Sequence, residues 1–124
     1  MKKNLVLLLV FLSQMTYSQK KFEFSKGADV TWLPQMEATG YQFYDTDGSK
    51  KDCLQLLKDR GMNTVRLRVF VNPSDDPRSG HCSKEETVAF AQRAQKMGFR
   101  IMIDFHYSDS WADPGKQFKP AAWK

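Results

Sequence analysis

Hydrophobic and polar positions set the organisation of the chain from residue 27 onward. Three short apolar runs stand out: Gly27–Trp32, Asn63–Val71 and Arg100–His106. Each is biased toward β-branched or aromatic residues and bounded by turn formers, which predicts strands. Between them lie two stretches with helical spacing. In the first, about Ser49 to Arg60, Cys53, Leu54, Leu56 and Leu57 form an apolar stripe. Ser49 is its expected N-cap, with Asp52 at the capping-box spacing, and Gly61 its stop. In the second, about Lys84 to Met97, the stripe is Val88, Phe90, Ala91, Ala94 and Met97. Ser83 with Glu86 makes a capping box there, and Gly98 ends the helix. Strand, helix, strand, helix, strand is the grammar of βαβ units on a parallel sheet.

The connections are unequal. Each helix passes into the next strand within two or three residues, whereas Leu33–Gly48 and Asn72–Cys82 are long loops after the first two strands. In α/β barrels the long loops gather at the carboxyl ends of the strands, where active sites lie. Side chains alternate along a strand. Val65, Leu67 and Val69 therefore share one face, and Arg66 and Arg68 the other. In the third strand Ile101, Ile103 and Phe105 oppose Met102, Asp104 and His106. Asp29 holds a comparable place in the first strand. Parallel sheets are covered on both faces, so these charges must find one another in a polar interior. A half-exposed sheet facing water is the plainer alternative.

Composition narrows the class. The 124 residues are 41% hydrophobic and 13% aromatic, which suits one folded domain and excludes a disordered chain. The net charge is +5 with no run of like charges, so no nucleic-acid partner is expected. Residues 1–18 read as a secretory signal peptide. Lys2 and Lys3 precede the apolar run Leu5–Leu12, and Thr16 and Ser18 offer small residues for cleavage. The run is about half what a spanning helix needs, so no stable membrane association is expected after processing. Loss of Lys2 and Lys3 takes the charge from +5 to +3.

The residues also name a family. Gly27-Ala-Asp-Val-Thr-Trp-Leu-Pro-Gln-Met-Glu37, Asn63-Thr-Val-Arg-Leu-Arg-Val-Phe-Val-Asn-Pro73 and Asp104-Phe-His-Tyr-Ser-Asp-Ser-Trp-Ala-Asp-Pro114 with Pro120-Ala-Ala-Trp123 closely resemble the endo-β-1,4-galactanases, family 53 of the glycoside hydrolases. The likeness runs from about Gly27 to Lys124, with Phe70 where the family often has Trp. It implies an α/β fold: residues 19–124 as the N-terminal three βα units of a (β/α)8 TIM barrel, incomplete as given. It implies a secreted, periplasmic or cell-surface enzyme, expected to be monomeric. Its substrate would be β-1,4-galactan, the (arabino)galactan side chains of pectin, cut at internal bonds. By position, Asp29, Arg66 and His106 would form the supporting polar shell of the sugar site. Asp109, Trp111 and Asp113 would belong to the substrate-binding loop after the third strand. Arginine can hold a carboxylate ionised, histidine can donate to a hydroxyl or carboxylate, and tryptophan offers a flat face to a pyranose. Trp111 could instead anchor its loop on the rim, Trp32 divides between core and rim, and Trp123 reads as structural.

A retaining glycosidase needs two carboxylic acids about 5–5.5 Å apart. The resemblance implies two Glu, at the ends of the fourth and seventh strands. The chain has Glu23, Glu37, Glu85 and Glu86, none of them so placed. Glu85 and Glu86 suit a helix start, and Glu37 a rim hydrogen bond. Asp104 with Asp109 is the one substitute pair, and it fits no known pattern. A (β/α)8 barrel takes about 250 residues. The chain therefore reads as an N-terminal fragment, inactive alone, with both catalytic Glu after Lys124. No cofactor is expected, calcium in some relatives being bound by other parts of the barrel. Cys53 and Cys82 could pair in an exported protein, but a buried free Cys53 is the default. His81, Cys82 and His106 match no closed zinc set. Two rivals remain: a barrel hydrolase of another β-linked polysaccharide such as mannan or xylan, and a non-catalytic or relic sugar-binding protein.

Overall fold

The computed structural model describes residues 23–123. The expected signal peptide, residues 1–18, lies outside them. The elements run β1 (Gly27–Asp29), α1 (Leu33–Ala38), α2 (Cys53–Asp59), β2 (Thr64–Val69), α3 (Lys84–Lys96) and β3 (Arg100–Phe105), with a final 3-10 turn at Ala121–Trp123. The three strands form one sheet in the order β1-β2-β3, and both pairings are parallel. Asp29 is in register with Arg66, and Arg68 with Asp104.

The helix boundaries follow from their caps. Asp52, not Ser49, is the N-cap of α2, and its carboxylate accepts the Gln55 amide at 3.0 Å. Ser49 is instead held by Asp47, within a turn closed by an antiparallel bridge between Tyr44 and Lys50. Ser83 and Glu86 complete the expected capping box of α3. Gly61 and Gly98 follow the helix ends at φ +79°, a region only glycine enters without strain. Helix α1 lies inside what the sequence presents as a loop. It has six residues, no side-chain cap and only Leu33 buried, so it carries no periodic stripe.

The core fills one side of the sheet. Leu33, Leu54, Val65, Leu67, Phe90 and Ala94 are all buried there. The expected apolar stripe of β2 is therefore packed under helices. That of β3 is packed only at Ile101: Ile103 and Phe105 are 38% and 61% exposed. They line an open apolar groove of about 370 Å3 beside Val88 and Ala91 of α3. Outside the sheet, Arg93 of α3 forms a two-bond pair with Glu37 of α1, at 2.8 Å each, and also meets Asp52. Glu37 thus ties two helices together, instead of making the rim hydrogen bond expected of it.

Candidate active site

The polar face of the sheet assembles as the alternation requires. Arg66, in the middle strand, bridges its neighbours: Nη1 donates to Asp29 at 3.0 Å, and Nη2 donates to Asp104. His106 Nε2 lies 3.1 Å from the same Asp104 oxygen. His106 Nδ1 accepts the backbone N–H of Ala112 at 3.3 Å. With Nδ1 accepting from the backbone, Nε2 is the ring nitrogen that faces Asp104 as a donor. Around it Arg66 and Arg68 face Asp29 and Asp104, so the formal charges of the cluster balance.

Asp29 is held by the most partners among the acids of this cluster. Burial alone raises its pKa. The hydroxyl and amide of Thr31, at 2.6 and 3.0 Å, together with Arg68 and Arg66, outweigh that and hold it below the usual carboxylate value. Thr31 reaches further. Its hydroxyl oxygen accepts the Arg68 amide at 2.9 Å, locking the end of β1 to β2.

Arg68 differs from Arg66. It is buried, and its Nε lies 3.7 Å from Asp29. Neither Nε nor Nη1 has a hydrogen-bond partner. Its guanidinium carbon lies 4.0 Å from the centre of the Trp111 ring. Arg66 has spent both terminal nitrogens on carboxylates; Arg68 has donors to spare. The strand alternation placed Arg68 in the polar interior, but nothing in the sequence singled it out over Arg66.

Trp111 sits on the loop after β3, 55% exposed, with His106 at 5.5 Å as a second ring neighbour. Phe70, the departure from the family pattern, packs edge-on against His106 at 5.5 Å. Asp109 and Asp113 have local work. Asp109 accepts the Asn72 amide at 3.0 Å and the Ala121 amide at 2.7 Å, strapping three loop segments together. Asp113 accepts the Gly115 amide at 2.7 Å in a tight turn. Its side of the loop forms one wall of an open cleft of about 700 Å3, lined also by Asp104, His106, Tyr107, Phe118 and Trp123. Trp123 contacts Tyr107, with ring centres 6.0 Å apart, and Trp32 contacts Phe43 at 6.3 Å.

The remaining titratable candidates are inert or separate. Cys53 and Cys82 are both free. Burial pushes the Cys82 thiol up to about 11, and burial also raises Cys53. His81 lies between Glu86 and the Pro77 carbonyl, away from His106. Among the described residues no group of three or more His, Cys, Asp or Glu side chains could hold a metal ion.

Parallel βα units, with long loops at the strand carboxyl ends and charges converging on that face, have the architecture of a segment of a (β/α)8 barrel. The sequence profile of Glycosyl hydrolase family 53 matches residues 25–124, and the chain belongs to that family. It is 42% identical over 105 residues to an "uncharacterized protein in bgaB 5'region" of Niallia circulans, covering 85% of this chain and 28% of that protein. It is 39% identical over 105 residues to the endo-beta-1,4-galactanase of Bacillus subtilis, covering 82% of this chain and 24% of the enzyme. The GH53 catalytic domain of Ignisphaera aggregans superposes with a TM-score of 0.74 at 40% identity, covering 84% of this chain and 31% of that domain. The chain thus spans about a quarter of the length of the curated relatives it matches.

Proposed function

We propose that this chain forms the sugar-supporting part of a secreted endo-β-1,4-galactanase that cleaves internal bonds of (arabino)galactan by a retaining mechanism. The observation that carries the reading is the joined network of Asp29, Arg66, Asp104 and His106 at the strand carboxyl ends, with unspent Arg68 donors beside it. Such a network holds fixed positive donors in a partly dry site. A guanidinium with buried, unpartnered N–H groups favours an ionised carboxylate next to it, which is what a glycosidase nucleophile must be.

The catalytic acids are a separate matter. All four Glu of the chain have structural partners: Asn63 for Glu23, Arg93 for Glu37, Lys84 for Glu85, and Ser83 with His81 for Glu86. Asp104 is engaged by Arg66 and His106, and Asp109 by two amides. This supports placing the acid/base and the nucleophile outside these 124 residues. The reading further includes export through residues 1–18, action as a monomer outside the cytoplasm, and no cofactor contributed by this segment.

The test compares reducing-end release from β-1,4-galactan, xylan and mannan by the longer gene product and by the 124-residue chain. Release from galactan by the longer protein alone is expected. Preference for xylan or mannan would replace the substrate, and turnover by the 124-residue chain would overturn the placement of the acids.

A further inference from the structure

Trp111 poses a physical question. It is more than half exposed on a loop, yet one face of its ring is backed by a cation. The backing group is the Arg68 guanidinium, contributed by a different strand and 43 positions earlier in the chain. A cation without hydrogen-bonded partners, desolvated against an indole face, gives a stronger contact than an exposed pair. Arg68 is itself fixed at both backbone groups: its amide donates to Thr31 at 2.9 Å, and its carbonyl accepts the Thr87 hydroxyl at 3.2 Å. The Asp29 carboxylate flanks the guanidinium on one edge. From the loop side, His106 grips the amide of Ala112, the residue after Trp111. The indole is thus held by Arg68 of β2 on one face and, through Ala112, by His106 just after β3.

We propose that Arg68 is a positioning residue for carbohydrate binding, its flat guanidinium setting the plane of Trp111 against which a pyranose ring stacks. The inference rests on the galactan reading above. It assigns Arg68 a task that Lys could not perform, because an ammonium is a compact, strongly hydrated point charge with no flat face. It also separates the two arginines of β2: Arg66 holds the strands' carboxylates together, and Arg68 holds the platform.

The experiment titrates the full chain with β-1,4-galactotetraose, following tryptophan fluorescence, and records near-UV and far-UV circular dichroism. The variants are Arg68→Met, Trp111→Ala and the double variant. Arg68→Met is expected to weaken binding about tenfold and to diminish the tryptophan near-UV signal, with far-UV spectra unchanged. In the Trp111→Ala background the same change is expected to have little further effect, because the group it positions is gone. If Arg68→Met fails to fold, Arg68→Lys carries the same expectation. Binding lost in Trp111→Ala but kept in Arg68→Met, or additive effects in the double variant, would overturn the inference alone. Absence of binding by the unaltered chain would overturn this inference, whereas the galactan reading falls only if the release assay shows no preference for galactan.

Discussion

Strands β2 and β3 have similar patterns and opposite surroundings. In β2, Val65 and Leu67 are 0% and 1% exposed, and on the other face Arg68 is buried as well. In β3, Ile103, Met102 and Phe105 are all exposed, and only the polar side, through Asp104 and His106, is drawn into the network. β2 has a strand on each side and helices over its apolar face. β3 has one strand neighbour among the described residues and an open groove over its apolar face. The difference shows that burial belongs to position in the sheet, not to the hydrophobicity of the residue. It also shows that three strands suffice to bring Asp29, Arg66 and Asp104 into line, though not to cover the apolar face of β3.

The comparison breaks first at Leu67. Leu67→Ala removes a fully buried side chain from the centre of the core and is expected to cost about 2–5 kcal/mol. Urea unfolding followed by circular dichroism would measure it. A loss below about 1 kcal/mol would mean that the β2 face is as loosely packed as that of β3.

Arg66→Met tests the polar side. Its side chain is 46% exposed, so solvent screens both ion pairs, and the expected cost is about 1 kcal/mol. That cost should shrink further in 1 M salt. A loss several times larger and insensitive to salt would show that the network is drier than the exposure of Arg66 implies.

Much of this was readable beforehand. Alternation in β2 and β3 separates Val65 and Leu67 from Arg66 and Arg68, and Ser83 with Glu86 marks the start of α3. Helix α1 was not readable, because Pro34 near its start, the absent cap and the single buried Leu33 leave no periodic signal. The cap of α2 slipped from Ser49 to Asp52 because both residues can cap, and only the turn at Asp45–Lys51 decides between them. In the site, Asp104 and His106 share a face by simple spacing. The contact of Arg68 with Trp111 depends on the path of a loop, and no local pattern encodes it. Asp109 was legible as a loop residue but not as a strap, since its partners are backbone amides far along the chain.

The acid limb of stability should sharpen the contrast next. Asp29 has its pKa lowered in the folded chain from an ordinary value of 3.8. A lowered carboxylate binds fewer protons folded than unfolded, so its contribution is complete above pH 3.8 and is lost as pH falls through the lower folded value. Asp29→Asn is therefore expected to flatten the fall in stability below about pH 4, measured as urea midpoints against pH. Other lowered acids, Asp45 among them at about 2, keep the remaining slope. An unchanged profile would mean that Thr31 and the arginines do not favour the ionised form.

The smallest effect is the most informative about β3. Ile103→Thr retains a β-branched residue suited to a strand and removes apolar surface from the groove wall. Since Ile103 is 38% exposed in the described chain, the expected loss is at most about 1 kcal/mol, well short of that at Leu67. The same substitution in this chain fused to the remaining segment of a family 53 relative reads out the groove directly. If a further segment covers the β3 face there, Ile103 becomes a core residue, and Ile103→Thr should then cost as much as Leu67→Ala. An equally small loss in both proteins would mean that the groove stays open to water, and that β3 differs from β2 by its place in the fold and not by a missing neighbour.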